Sequence, residues 1–339
     1  MKGPAGIRED QDGSTLNYYY YLRIIYGTVL VVGVKSDINI GIVGAGVMGT
    51  ALSMGLSAAG CNLSAITSRT KWSALRLIRR IPESRYFSSA EEFSQTCDLI
   101  FITTPDDLIY DVAATFPWKA GQSVIHCSGV RGLSVLDSAS AQGALVGAFH
   151  PFQIFANVTS REEALERFSD IHVAIEAKGR LLKVLQGMAK KFDGKTLRVD
   201  NKHRALYHSS AVLSCGYLVT LLYSAVQLWR QIGLSEEQAL DAIGAMAHST
   251  VQSVRRYGFA STVTVPVVRG DITTLNRHFR ALTINDTGLL KLFIALTEAS
   301  LPMVGEFLSE DKQKEILKLV MRYNMPSKNK NMFRRYDSG

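Results

Sequence analysis

Short apolar runs, each closed by glycine, proline or small polar residues, alternate with helix-like stretches along the first part of the chain. The runs Ile38–Val43, Asn62–Thr67, Leu99–Thr104, Ser123–His126 and Leu145–Phe149 read as strands. The run through Leu99–Thr104 is continuously apolar rather than alternating, as expected of a parallel strand buried on both faces. Ile171–Ile175 and Thr196–Val199 read as outer strands. Strand and helix in alternation predict an α/β fold built on a doubly wound parallel sheet. From Lys202 onward strand signals fade and long helices take over, broken near Gly233-Leu234-Ser235 and between Thr262 and Gly270. A chain of 339 residues can hold two cores. The pattern divides it into an N-terminal extension (1–37), a sheet domain (38–200), a helical domain (201–325) and a short basic tail (326–339).

Two stretches resemble membrane segments by hydropathy alone. The first, Tyr18 to Val34, has only 11 uncharged residues after Arg23, no basic segment before it, and too little length to span a bilayer. Since the sheet domain needs nothing before about Val34, residues 1–33 read as an added strand, an appendage, or sequence upstream of the true start. The second, Ala205 to Trp229, carries no charged residue but contains His208, Ser209, Ser210, Ser214, Thr220, Ser224 and Gln227. Polar groups at that density fit a buried bundle helix or a homodimer surface better than a lipid-facing span.

The strand ending at Val43 runs into Gly44-Ala45-Gly46-Val47-Met48-Gly49 and then into a helix-like segment. This glycine spacing, between a strand and a helix, is the context in which a dinucleotide's pyrophosphate is bound. The first glycine makes the tight turn, the second admits the phosphates to the backbone N–H groups, and the third lets the helix pack closely. The helix N-terminus supplies unpaired N–H groups and the positive end of its dipole. About twenty residues on, where an acid would take the ribose hydroxyls of NAD, the second strand ends in Ser68-Arg69-Thr70-Lys71 with no acid in reach. Ser68 and the Arg69 guanidinium suit the extra 2′-phosphate of NADP, so NADP (NADPH) is favoured over NAD. Alternatively, Arg69 and Lys71 are solvated charges at a helix start. Thr104 and Pro105, at the end of the third strand, complete the expected cofactor-binding set.

A formal charge of +8 is mild, and the basic residues are scattered apart from Lys328, Lys330, Arg334 and Arg335 in the tail, so no nucleic-acid stripe is evident. Cys61, Cys97, Cys127 and Cys215 show neither C-x-x-C spacing nor a disulfide pattern; no metal site is expected, and a reducing cytoplasmic setting fits them.

Several segments together resemble a known family. They are Gly44 to Gly49, Thr104-Pro105-Asp106, His126-Cys127-Ser128-Gly129, His150-Pro151-Phe152-Gln153-Ile154-Phe155, Tyr207-His208-Ser209-Ser210-Ala211, and Pro266-Val267-Val268-Arg269-Gly270-Asp271 with His278 beyond. Their order and spacing are similar to those of Rossmann-fold proteins with a helical C-terminal domain of unknown function (DUF2520). These are relatives of ketopantoate reductase, pyrroline-5-carboxylate reductase and the hydroxyacid dehydrogenases. The resemblance implies a helical domain like the C-terminal domain of 6-phosphogluconate dehydrogenase, and a hydride transfer between NADP and a small carboxylated oxo acid, hydroxy acid or imine. Two positions depart from the pattern: Gly216 stands where relatives carry Asn, and Val265 where they carry Gly before the proline.

Hydride transfer to a carbonyl or imine calls for a proton donor, and histidine suits because its ordinary pKa lies near neutrality. His150 stands at a strand's carboxyl end before Pro151. A similar His-Pro step in prephenate dehydrogenases supplies the acid/base residue, paired with a serine whose place Ser128 holds here. His150, Ser128 and His208 are therefore the catalytic candidates, and Gly129, His126, Arg269 and Asp271 the substrate-binding ones. Arg269 could clamp a carboxylate; Asp271 could orient Arg269 or cap the helix that starts at Ile272. Tyr207 reads as a packing residue. For each histidine a satisfied buried side chain is the competing explanation. Beside the oxidoreductase stand a nucleotide-binding sensor or scaffold without catalysis, and a deazaflavin-linked reductase on the same fold.

Overall fold

The computed structural model describes residues 22–25, 28–31, 38–304 and 307–324. The basic tail and most of the N-terminal extension lie outside the described residues. Within the extension, β1 (Leu22–Ile25) and β2 (Thr28–Val31) pair antiparallel as a separate two-stranded sheet.

The chain divides into two compact units, residues 1–215 and 216–339. The first is built on β3 (Ile40–Val43), α1 (Val47–Ala58), β4 (Leu63–Thr67), α2 (Lys71–Ile78), β5 (Arg85–Tyr86), α3 (Ala90–Thr96), β6 (Leu99–Ile102), α4 (Ile109–Thr115), β7 (Ser123–His126), α5 (Asp137–Ala141), β8 (Leu145–Pro151), α6 (Arg161–Phe168), β9 (His172–Glu176), α7 (Gly179–Lys191), β10 (Lys195–Leu197) and α8 (Arg204–Ser214). Eight strands form one sheet in the order β10-β9-β8-β7-β6-β3-β4-β5. All neighbouring pairs are parallel except β8 with β9. The order reverses at β3, whose two neighbours are β4 and β6, so a crevice opens beyond the carboxyl ends of β3 and β6 where ligands of such sheets bind.

The sheet forms because its central strands can be buried on both faces. Ile40, Ile42, Leu63, Ile66, Phe101, Ile125 and Phe149 share one core with α1, α6 and α7. Val43, Ala65, Ile100, Ile102 and Val124 share the other with Phe93, Ile109 and Trp118. The extent of β8 differs from the sequence-based expectation. The strand continues two residues past Phe149, because antiparallel pairing with β9 sets His150 opposite Ala174 and Pro151 opposite Val173. His150 is thus held in the strand, not in the loop beyond it.

The second unit comprises α9 (Gly216–Gln231), α10 (Glu236–Tyr257), α11 (Phe259–Thr262), α12 (Ile272–Asn285), α13 (Thr287–Val304) and α14 (Glu310–Asn324). Its core joins Val267, Leu275, Phe279, Leu282, Leu290, Ile294, Ile316 and Val320. Ser235 begins α10 with a capping box closed by Gln238, which explains why the break falls at Gly233–Ser235. In α9 only Val226, and in α10 only Ala239, is buried. The run Asn201–Gln231 is, by length and composition alone, apolar enough to cross a membrane.

Candidate active site at the carboxyl edge of the sheet

Four parallel strands, β3, β6, β7 and β8, end side by side, and the candidate residues of the first unit lie along that edge. Gly44, directly after β3, has φ +106°, a conformation side-chain-bearing residues rarely adopt. Gly49 is required for a different reason. A Cβ there would stand 2.0 Å from the Gly44 carbonyl oxygen and 2.5 Å from Thr103 Oγ1. Thr103 Oγ1 also donates to the Gly44 carbonyl at 2.8 Å, tying the end of β6 to the loop. Ala45 is buried beneath the loop, Met48 packs against the core, and Val47 is exposed. No side chain caps α1 and no acid sits in its first turn, so its N-terminal N–H groups face open space, with nothing within 4 Å of a Cβ built at Gly46. That arrangement suits a phosphate.

A cavity of ≈ 400 Å³ adjoins this loop, and its lining includes Gly46, Val47, Thr50, Arg76, Arg80 and Asn157. Arg76 and Arg80 carry no motif that marks them in the sequence; α2 and the turn that follows it bring them to the loop. Ser68 is half-buried at the end of β4, while Arg69 is exposed and makes no ion pair among the described residues. Lys71 lies over the Tyr86 ring, 5.8 Å from its centroid. At the end of β6, Thr104 Oγ1 is buried without a hydrogen-bond partner, and the Pro105 carbonyl accepts from the Leu108 N–H. The uncapped helix N-terminus and the Arg76 and Arg80 side chains lining the cavity beside it have the chemistry to receive an anionic phosphate group.

Beyond β7 the histidines separate in role. His126 is fully buried and its Nδ1 accepts from the Ser128 N–H at 3.2 Å. Burial, and secondarily the Arg204 charge, push its pKa down to about 3. Its Nε2 is buried with no hydrogen-bond partner, so within the described residues the contact His126 makes through its ring nitrogens is the one that shapes the β7 turn. Ser128 Oγ accepts from the Val130 and Arg131 N–H groups at 3.3 and 3.0 Å, so its hydroxyl also builds this turn. Its hydroxyl proton is the part left to donate.

His150 is the centre of the cluster. Its Nδ1 lies 2.8 Å from the Tyr207 hydroxyl, its ring stands edge-on to Tyr207 with centroids 5.5 Å apart, and the His208 ring is 6.2 Å away. Gly129 makes room for both histidines: a Cβ there would lie 2.7 Å from His150 Nε2 and 2.9 Å from His208 Cδ2. Burial first, then the His208 and Arg204 charges, hold the His150 pKa down at about 4. The sequence-based argument from an ordinary histidine pKa is corrected accordingly: with this surround, the ring is neutral at neutral pH.

Sequence reasoning missed Arg204 and assigned Tyr207 only to packing. Arg204 is 1 % exposed, and its Nε and Nη2 both donate to Glu176 Oε2, at 3.1 and 2.6 Å. The spacing 204, 207, 208 puts all three on one face of α8, so this ion pair at the end of β9 seats Tyr207 and His208 beside His150. The signal was available: an arginine at the start of an apolar helix, three and four residues before an aromatic pair.

The remaining candidates lie in the second unit. Asp271 caps α12 by accepting from the Thr274 N–H at 2.9 Å, and the Thr274 contacts lower its pKa. Arg269 is exposed and donates to the Thr264 carbonyl at 2.8 Å. His278 stands edge-on to Phe293. The four cysteines are free, and no cluster of metal-ligating residues occurs among the described residues.

Similar proteins agree with this architecture. Residues 33–151 match the Rossmann-like domain family and residues 171–300 match the domain of unknown function DUF2520. No curated protein matches the chain in sequence. Among solved structures, a candidate NADP oxidoreductase from Bacteroides fragilis is 22% identical with TM-score 0.65, over 78% of this chain and 97% of its own. Pyrroline-5-carboxylate reductase from Streptococcus pyogenes is 15% identical with TM-score 0.53, over 84% and 98%. A reductive aminase from Aspergillus terreus, solved with NADPH and ethyl-5-oxohexanoate, is 15% identical with TM-score 0.53, over 88% and 95%. At these identities the likeness is one of fold. With an eight-stranded, mainly parallel sheet followed by helices, and both families matched in order, the chain carries a Rossmann-like domain followed by a DUF2520 domain.

Proposed function

We propose that the protein is an NADP-dependent oxidoreductase that transfers a hydride between the nicotinamide and a small carboxylated oxo acid, hydroxy acid or imine. The observation that carries this is the single edge shared by the uncapped α1 N-terminus and the His150 cluster. Three strand spacings separate β3 from β8, roughly 14 Å along the edge. The cofactor would supply the hydride. Gly44 to Gly49 would hold its pyrophosphate, Ser68 and Arg69 its 2′-phosphate, and Thr104 and Pro105 would border it. His150 would serve the reacting oxygen or nitrogen, with Ser128, Gly129 and His208 shaping its surroundings. The NADPH found with the reductive aminase supports the choice of cofactor. A ketopantoate-reductase-like activity is the specific form to assay first.

NADPH and NADH titrated by fluorescence, followed by absorbance assays on 2-oxo acids and cyclic imines, test this. NADPH is expected to bind more tightly than NADH, Arg69→Ala to narrow that preference by about tenfold, and His150→Ala to lower turnover by at least about 100-fold while sparing NADPH binding. Binding without turnover would replace the enzyme with a nucleotide-binding sensor; binding of neither nucleotide would sink both.

A homodimer through the helical unit is part of the same proposal. Tyr217, Val219 and Tyr223 of α9 and Leu240, Met246 and Val251 of α10 are exposed, leaving an apolar face that a second copy would bury. Light scattering on the purified protein is expected to give twice the 37.3 kDa chain mass; a monomer, or a protein recovered only with detergent, would overturn it.

A further inference from the structure

A neutral imidazole has one donor and one acceptor nitrogen, and the partner of one nitrogen decides the role of the other. In His150 the Nδ1 partner is the Tyr207 hydroxyl at 2.8 Å. A phenol is a good donor and a poor acceptor, so this contact places the Tyr207 proton between Oη and Nδ1 and the ring's own hydrogen on Nε2. That nitrogen faces Gly129, where a Cβ would come within 2.7 Å of it. Nε2 makes no hydrogen bond to another described residue. We propose that Tyr207 fixes His150 in its neutral Nε2–H tautomer, so that the ring offers a proton to a carbonyl oxygen beside Gly129. Tyr207 is thereby a positioning residue that acts through His150.

The surroundings keep the ring uncharged. From α8, Arg204, Tyr207 and His208 face it; His126 of β7 is buried neutral behind it; and Glu176 of β9 is engaged by Arg204. Burial, His208 and the Arg204 charge all oppose imidazolium. A neutral donor with a phenol behind it can still deliver a proton. The proposed step rests on the oxidoreductase reading. The hydride pair that a bound NADPH would supply to the carbonyl carbon, with its own oxidation to NADP+, would push the C=O π pair onto oxygen. That oxygen takes the proton from Nε2, and Nδ1 takes the Tyr207 hydroxyl proton. The imidazole starts and ends neutral, the negative charge rests on the Tyr207 phenolate, and a solvent proton restores it. Burial pushes the Tyr207 pKa up to about 12, yet a phenol remains a stronger acid than an aliphatic alcohol, so the transfer runs toward product. An iminium ion reduced by hydride becomes a neutral amine without any proton. The dyad therefore marks carbonyl substrates over iminium ones.

The tautomer can be read without turnover. Nitrogen-15 correlation spectra of the wild-type full chain at pH 7 are expected to show His150 neutral with its hydrogen on Nε2, and Tyr207→Phe to shift it to a mixture of both tautomers. An imidazolium, a Nδ1–H ring in the wild type, or an unchanged ring in the variant would overturn the proposal whatever the activity. Where an oxo acid and a preformed cyclic iminium are both reduced, Tyr207→Phe is expected to lower kcat for the oxo acid by about 30-fold, with KM and the iminium rate within about threefold of wild type. Equal losses on both substrates would assign Tyr207 a purely structural role. Absence of all turnover would refute the oxidoreductase while leaving the spectra to decide the tautomer.

Discussion

Replacing Glu176 by Ala is expected to cost about 3 kcal/mol of folding stability. Arg204 is almost wholly enclosed, and the Glu176 carboxylate receives two of its donors; Nη1 already lacks a partner. Without the carboxylate, the guanidinium would be a buried, unpaired cation with further orphaned N–H groups, and that desolvation is what makes half of a buried ion pair worse than none. The figure is set at the low end for such pairs because the Glu176 side chain keeps 28% of its exposure. The change would also release the first turn of α8, and with it Tyr207 and His208. Urea unfolding followed by circular dichroism checks the magnitude; a loss below about 1 kcal/mol would mean that water reaches Arg204 and that the pair does not hold the helix.

Gly49→Ala is expected to abolish NADPH binding and to destabilise the first unit by about 3 kcal/mol. The added methyl would meet the Gly44 carbonyl and Thr103 Oγ1, at 2.0 and 2.5 Å. Neither can move cheaply: Gly44 is fixed in the turn by its positive φ, and Thr103 bonds that same carbonyl from the end of β6. To relieve the clash α1 must lift from the loop, which breaks both its packing on the sheet and the aim of its N–H groups. Fluorescence titration and thermal unfolding of the variant are the checks. Near-native NADPH affinity would show that the loop adapts and that the third glycine is not needed for the cofactor. Gly46→Ala is the informative contrast, since space there is open to protein atoms and only a bound phosphate would feel the methyl.

The strands and the glycine loop were legible because their causes are local. Continuous apolar runs such as Leu99–Ile102 have no stable place except inside a sheet, and the spacing of Gly44, Gly46 and Gly49 meets backbone requirements that act over a few residues. Thr103, which ties the end of β6 to the loop, carried no signal in the sequence, because that role depends on how β6 sits against the glycine turn. β5, two residues long, was missed because so short a strand leaves no periodic signal. The antiparallel run of β9 was equally hidden, since an apolar run looks the same in either direction.

The site itself was half visible. His150, Gly129 and His208 could be named from strand ends and motif order, whereas Tyr207 and Arg204 could not be given their parts, because those depend on which residues α8 brings against β8 and β9. Of itself the sequence determined the order of strands and helices, the phosphate-binding turn, and the lack of an acid after β4, all consequences of chain-local sterics and charge. Only the tertiary structure decided that His126 is buried inside the β7 turn and that His150 is neutral and bonded to Tyr207. Burial, desolvation and the nearness of the Arg204 charge arise between segments far apart in the chain, and these set a histidine's protonation more strongly than its neighbours in sequence do.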